Sequence, residues 1–327
     1  IEPGDEVIVP AYTFVATYGA AIFVGAVPVL CEIDESLCMD PLERWAVSSS
    51  MRLTFSLCLR GTHLIGVWKM LRRLTFLFLV GVVFAMGCKS HVEQSRKPNI
   101  ILIFTDDQGY GDLGCHGNPW IKTPNLDTLW KSSVRLTDFH VSPTCAPTSS
   151  ALMTGRYNNR TGVWHTVTGR TLLRENEVTM AQVFAEPGYS TGMFGKWHLG
   201  DNYPRRPIDL GFQKAVWHGG GAVGNTNDYW DNDYFDDHYY DNGTYRKFEG
   251  YCTDVWFSQA RDFIHDNRDQ PFFCYVATNA PHGPLYVEDK YSDPYKGDSL
   301  IPSARFYGMI TNIDDNIGML RSYLREE

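Results

Sequence analysis

Across residues 98–327 the apolar positions come in short unbroken runs, set between polar stretches rich in glycine and aspartate. The run Asn99-Ile100-Ile101-Leu102-Ile103-Phe104 ends at polar Thr105. Such a run predicts a strand buried on both faces, as at the centre of a parallel sheet. Residues 134–141, 189–194 and 271–278 are predicted as further strands. Helices are predicted over 178–185, 254–266 and 303–324. In the last, Ile310, Ile313, Ile317 and Leu320 recur at helical spacing and make one apolar face. Strands alternating with helices predict an α/β fold, a three-layer αβα sandwich around a central, mostly parallel sheet.

The first 97 residues follow other patterns. Residues 6–10 and 27–33 read as strands and 12–23 as a helix. A basic patch, Lys69-Met70-Leu71-Arg72-Arg73, precedes the apolar stretch 74–87 and Cys88. At about 14 residues the stretch is too short to span a bilayer and suits the core of a signal peptide. Ala85-Met86-Gly87-Cys88 resembles a bacterial lipoprotein box, in which Cys88 is lipidated and becomes the mature N-terminus. Residues 89–97 are polar and read as a tether. A signal peptide works at a chain start, so Met70 is expected to begin the main protein, which places it outside the cell membrane as a periplasmic or surface lipoprotein. GDEVIVPAYTFVAT and GAVPVLCEID resemble the sugar aminotransferases that use pyridoxal phosphate, over residues 1–41. The lysine that would hold that cofactor lies outside this piece, which is also too short to bury a core of its own. No aminotransferase activity is expected from it. Residues 42–69 form a junction without a resemblance, 70–97 the signal and tether, and 98–327 the catalytic domain.

Composition narrows the class. With 43% hydrophobic and 20% charged residues the chain is globular. The balance of 29 basic and 38 acidic residues gives a net charge of −9, which argues against a nucleic-acid footprint. An anionic substrate would need a local cation. The eight cysteines contain no CxxC pair, so no zinc site is read from them.

Two elements carry chemistry. Asp106-Asp107 stands at the end of the strongest strand, where sites form in such sheets. Adjacent carboxylates repel one another or take a hard divalent cation such as Ca²⁺ or Mg²⁺. Further on, Pro143 to Arg156 reads as a turn followed by a short helix from Pro147 to Met153, stopped at Gly155. Cys145 then lies at a helix N-terminus, where backbone N–H groups favour anions and a thiol can be activated as a nucleophile.

At this point the residues resemble the sulfatases of the alkaline-phosphatase superfamily. Their signature is Cys-x-Pro-Ser/Thr-Arg; here it stands as Cys145-Ala146-Pro147-Thr148-Ser149. The resemblance runs through 98–327 and includes PNIILIFTDDQGYGD, IKTPNLDTL, LMTGRY, GYSTGMFGKWHLGD, RPIDLGF, PFFCYVATNAPHGP and ITNIDDNIG. It implies an alkaline-phosphatase-like fold and hydrolysis of sulfate esters. It also implies that Cys145 is oxidised to formylglycine by a formylglycine-generating enzyme. Asp106, Asp107 and the modified Cys145 would hold a divalent cation, Ca²⁺ with Mg²⁺ as the alternative. Lys196 and His198 would face the sulfate and the formylglycine, and His282 would stand near the leaving oxygen as general acid. The partner is then a sulfated small molecule or glycan.

The sequence departs from the family at two places. Ser149 stands where an arginine is usual, and that arginine helps the modifying enzyme recognise the site. The family also supplies an Asp-Asn pair to the metal, and a second lysine, downstream of the His282 motif. Asp241-Asn242-Gly243 precedes that motif and lacks a leading apolar strand, so it is a decoy. The chain is accordingly expected to be a C-terminally truncated fragment, inactive as it stands. Residues 225–242, dense in aspartate and aromatics, read as a solvated loop, with a substrate-stacking rim as the functional alternative. Competing functions are a phosphate or phosphonate ester hydrolase with an unmodified nucleophile, an aminotransferase fragment, and a catalytically silent binding protein.

Overall fold

The computed structural model describes residues 6–10, 27–31, 97–225 and 227–326. The predicted helix 12–23, the junction 42–69, the signal stretch 74–87, Cys88 and the tether to residue 96 lie outside the described residues. Strands β1 (Glu6–Pro10) and β2 (Val27–Cys31) pair in parallel, with Glu6 opposite Val27.

A separate six-stranded sheet consists of β3 (Ile100–Phe104), β4 (Ser190–Lys196), β5 (Lys214–His218), β6 (His238–Asp241), β7 (Thr244–Lys247) and β8 (Phe272–Ala277). The order is β3-β8-β4-β5-β6-β7. The first four strands run parallel; β6 is antiparallel to β5, and β7 antiparallel to β6. The helices are α1 (Pro124–Trp130), α2 (Cys145–Thr154), α3 (Asn158–Thr161), α4 (Met180–Ala185), α5 (Cys252–Asp266), α6 (Asp289–Ser292) and α7 (Ala304–Glu326).

All six residues of β8 are buried, because successive side chains point to opposite faces and both faces are covered. Phe272, Cys274 and Val276 join a core with Trp256 and Phe263 of α5 and Ile313, Ile317 and Leu320 of α7. Phe273, Tyr275 and Ala277 join a second core with Ala146 and Met153 of α2 and Ala181 of α4. Each phenylalanine buried here contributes about 1.5–3 kcal/mol. This is the predicted three-layer arrangement.

Helix α1 is tied to α7 chiefly through Asp314, and Arg321 Nη1 adds a bond to the Asn125 carbonyl at 3.0 Å. Buried Asp314 accepts the backbone N–H groups of Asn125 (3.1 Å) and Leu126 (2.7 Å) and the Asn125 side-chain amide (2.9 Å). Helix-start donors that lack an internal partner are thereby satisfied from a neighbouring helix.

Several boundaries differ from expectation. Residues 134–141 form no strand; Val134, Leu136 and Val141 are exposed. Their alternation with polar residues fits a strand locally, but among the described residues no strand of the sheet pairs along them. The sheet instead contains β5, only five residues long, and the β6–β7 hairpin, which turns at Asn242-Gly243 with φ of 47° and 91°. An Asn-Gly pair is favoured where both turn residues need positive φ. Helix α4 begins at Met180 rather than 178. Thr179 caps it, accepting the Gln182 N–H while the Gln182 side chain accepts the Thr179 N–H.

Candidate active site

Pairing continues past the ends of β3 and β8. The Thr278 N–H donates to the Phe104 carbonyl at 2.8 Å, and the Asp106 N–H donates to the Ala280 carbonyl at 3.1 Å. These bonds set Asp106-Asp107 beside the loop that carries His282. Lys196, the last residue of β4, donates from Nζ to Asp106 Oδ2 at 2.6 Å, with both side chains buried. Burial alone would lower the Lys196 pKa, but the Asp106 carboxylate raises it above its ordinary value, so the ammonium stays charged. Gly195 permits the close approach of β4 to β8 beside this pair. Its φ is 114°, and a Cβ there would stand 1.9 Å from the Ala277 carbonyl oxygen.

Asp107 adopts a left-handed backbone, φ 61°, and is more open. Burial and then the neighbouring Asp106 raise its pKa. His282 Nε2 lies 3.6 Å from Asp107 Oδ2, and His282 Nδ1 donates to the Gly283 carbonyl at 2.6 Å. That bond places a hydrogen on Nδ1 and turns Nε2 toward the carboxylate.

Cys145 is the first residue of α2, two residues before the predicted start; extended Thr144 precedes it and left-handed Gly155 (φ 64°) ends the helix. Cys145 Sγ lies 3.4 Å from His198 Nδ1. His198 Nε2 donates to the Thr166 carbonyl at 3.1 Å, so Nδ1 presents its lone pair to the thiol. His198 has φ 58°, a left-handed conformation that turns its ring back to α2. Gly221 leaves room for that ring; a Cβ there would fall 2.7 Å from it. Burial, with Lys196 second, pushes the His198 pKa down to about 3. The ring is therefore a neutral acceptor across the physiological range.

The Cys145 thiol does not match the activated nucleophile expected at a helix start. Burial raises its pKa, and Lys196 only partly opposes that. Ser149 is buried in α2, an uncharged side chain at the position where the resemblance implies a cation.

A cleft of about 290 Å³ is lined by Cys145, His198 and His282, and further by Thr166, Asp201 and Asn227 among others. Of the residues predicted from sequence, three share this cleft. Lys196 and Asp106 lie buried within electrostatic reach of Cys145, and Asp107 faces His282. Sequence reasoning missed Thr166, Asp201 and Asn227. Thr166 acts through its carbonyl, which no side-chain pattern reveals, whereas Asp201 directly follows the Gly195–Gly200 motif and could have been read from it.

Asp106 and Asp107 suit a hard divalent cation in kind. Gln108, next in sequence, has a buried Oε1 without a hydrogen-bond partner, a further oxygen of the same type. In number the set is small: among the described residues no group of three or more His, Cys, Asp and Glu could hold a metal. Asp228, Asp237 and Asp241 of the 225–242 segment serve the fold. Asp228 accepts the N–H groups of Gly219 and Gly224, Asp237 those of Asp233 and Tyr234, and Asp241 pairs with Lys214 and Arg246. Asn242 Oδ1 accepts the Ala215 N–H, so Asp241-Asn242-Gly243 is a hairpin turn.

The family model described as Sulfatase matches residues 98–327, and the chain belongs to that family. The model of the DegT/DnrJ/EryC1/StrS aminotransferase family matches residues 1–47. The arylsulfatase of Klebsiella aerogenes is 33% identical over 237 residues, covering 67% of this chain and 50% of that protein. Human arylsulfatase A is 35% identical over 259 residues, covering 70% and 51%. The chain thus spans about half the length of the curated relatives it matches. The crystal structure of Ps i-CgsB superposes with a TM-score of 0.63 at 30% identity, covering 71% of this chain and 55% of that one. Ps i-CgsB has also been solved in complex with k-i-k-neocarrahexaose. The mostly parallel sheet with helices on both faces is the alkaline-phosphatase-like α/β class of these neighbours.

Proposed function

We propose that residues 98–327 form the catalytic core of an arylsulfatase-like sulfate-monoester hydrolase. A formylglycine-generating enzyme converts Cys145, and Asp106, Asp107 and the converted residue hold a divalent cation, Ca²⁺ in preference to Mg²⁺. The observation that carries this reading is the 3.4 Å approach of Cys145 Sγ to a neutral His198 whose bare Nδ1 faces it.

Once installed, the formylglycine hydrate and the cation supply an oxygen nucleophile and neutralise charge on the sulfuryl oxygens. His198 Nδ1 takes a proton from the side chain at position 145, while the Thr166 carbonyl keeps the opposite ring hydrogen in place. Lys196, held by Asp106, contributes a fixed positive charge beside Cys145. His282, with Nδ1 held by the Gly283 carbonyl, offers Nε2 as the atom that carries a proton to the leaving oxygen.

A phosphate or phosphonate ester hydrolase with unmodified Cys145 fits less well, because burial keeps that thiol protonated. A binding protein that holds sulfate esters without cleaving them is favoured by one observation, Ser149 in place of the cation. Turnover of phenyl sulfate by the full-length gene product, made in a host with the generating enzyme, decides. Sulfate release supports the hydrolase; saturable binding without release supports the silent reading; faster release of phosphate from phenyl phosphate by thiol-bearing protein supports the phosphatase.

The pattern of residues 69–88 supports export and anchoring through a lipid on Cys88, at the periplasmic or outer surface of a bacterium. Metabolic labelling with a fatty acid, lost on Cys88→Ser, is the expected result. We assign no pyridoxal phosphate chemistry to residues 1–47.

A further inference from the structure

We infer that the alcohol half of the ester is a neutral sugar whose hydroxyls are read by Asp201 with Asn227. This inference rests on the sulfate-ester reading of the Cys145 end of the cleft. Beyond Cys145 and its histidines the cleft is lined by threonines, glycines, asparagines, one valine and one carboxylate, and among the described residues no Phe, Tyr or Trp lines it. An aryl ring gains most from aromatic or broad apolar walls, and a ring of hydroxyls from groups of the kind present here.

Asp201 is the charged member. Its Oδ1 accepts the Gly220 N–H at 3.0 Å and its Oδ2 accepts an Asn227 Nδ2 hydrogen at 3.1 Å. Those two bonds fix the carboxylate yet use only about two of its four acceptor positions. Asn227 Nδ2 also reaches Thr168 Oγ1 at 3.5 Å, which orients the amide and leaves Asn227 Oδ1 as a further acceptor. Among the described residues no Lys or Arg forms an ion pair with Asp201, which keeps its carboxylate available to a ligand. Sugar hydroxyls are donors and complement such a wall. A second sulfate or a uronate on the same ring would meet a like charge and be disfavoured. Selection therefore runs toward a neutral monosulfated sugar, over aryl sulfates on one side and over multiply charged sugars on the other.

Calorimetry on the full chain carrying Cys145→Ala, which keeps the ester intact, tests this. The ligands are glucose 6-sulfate, a glucose disulfate and phenyl sulfate, each with and without Asp201→Asn. Glucose 6-sulfate is expected to bind about tenfold or more tighter than the other two. Asp201→Asn is expected to weaken it about ten- to hundredfold, the value of a hydrogen bond to a charged group. Phenyl sulfate should change by less than about twofold, and the disulfate should gain. Asn227→Ala, at an exposed residue, is expected to act in the same direction and covers the case in which Asp201→Asn does not fold. Equal affinity for sugar and phenyl esters, or equal loss of both in the variants, overturns the inference and leaves the sulfate-ester reading standing. No binding of any of the three overturns both.

Discussion

Lys196 Nζ and Asp106 Oδ2 meet at 2.6 Å across the end of β8, which lies between the strands that carry them. The contact ties β3 to β4 at the site and fixes one positive charge beside Cys145. Both side chains are buried, so neither can be rehydrated cheaply when the other is removed. Lys196→Met is expected to cost about 3–5 kcal/mol of stability. Asp106→Asn should cost a similar amount, and the double variant much less than the sum. Urea unfolding of the four proteins checks the coupling; additive losses would mean that the pair does not act as a unit.

His198→Ala removes the neutral acceptor 3.4 Å from Cys145 Sγ. Turnover of the converted enzyme is expected to fall by about 10²–10⁴, with a smaller change in KM. His198→Gln should recover little. Steady-state kinetics on a chromogenic sulfate ester is the check.

Asp314 gives the chain a titration remote from the site. Burial raises its pKa to about 6 against three N–H donors that favour the charged form. The folded state therefore holds this proton where the unfolded chain, near 3.8, has released it. Stability from this group is full below about pH 4 and is lost as pH rises through about 6, by up to ~1.4 kcal/mol per pH unit within that window. Asp314→Asn should flatten that part of the urea midpoint against pH. A slope unchanged in the variant would assign it elsewhere.

Asp106 and Asp107 present two carboxylates where a calcium ion takes about six to eight oxygens. Calorimetric Ca²⁺ binding by this chain is expected to be weaker than that of a full-length arylsulfatase relative, and to disappear in Asp107→Asn. Affinity equal to that of a full-length arylsulfatase relative would mean that further ligands come from within the chain.

Ser149→Arg restores the charge that the signature lacks. In a host with the generating enzyme, the converted fraction of Cys145 should rise, read from the peptide mass. Because Ser149 is buried, the same change is expected to lower the melting temperature.

Much of this arrangement was legible in the chain. The apolar run into Asp106, the helix start at Cys145 and the motifs around Lys196, His198 and His282 each named residues that the fold brings close together. What escaped was the part fixed by geometry rather than by residue type. Neither the Thr166 carbonyl that sets the His198 tautomer nor the Ala280 carbonyl that holds Asp106 leaves a pattern in side chains. The strand expected at 134–141 shows the converse, since alternation occurs there without a paired strand among the described residues. The β6–β7 hairpin was signalled by Asn242-Gly243, but the dense aspartates and aromatics of 225–242 read as a solvated loop rather than as strands.

The most direct test is the mass of the Cys145 peptide from active protein, purified from a host able to make formylglycine. The account predicts an aldehyde in place of the thiol, with sulfate-ester turnover rising in step with the converted fraction. An intact thiol in protein that still releases sulfate would contradict it.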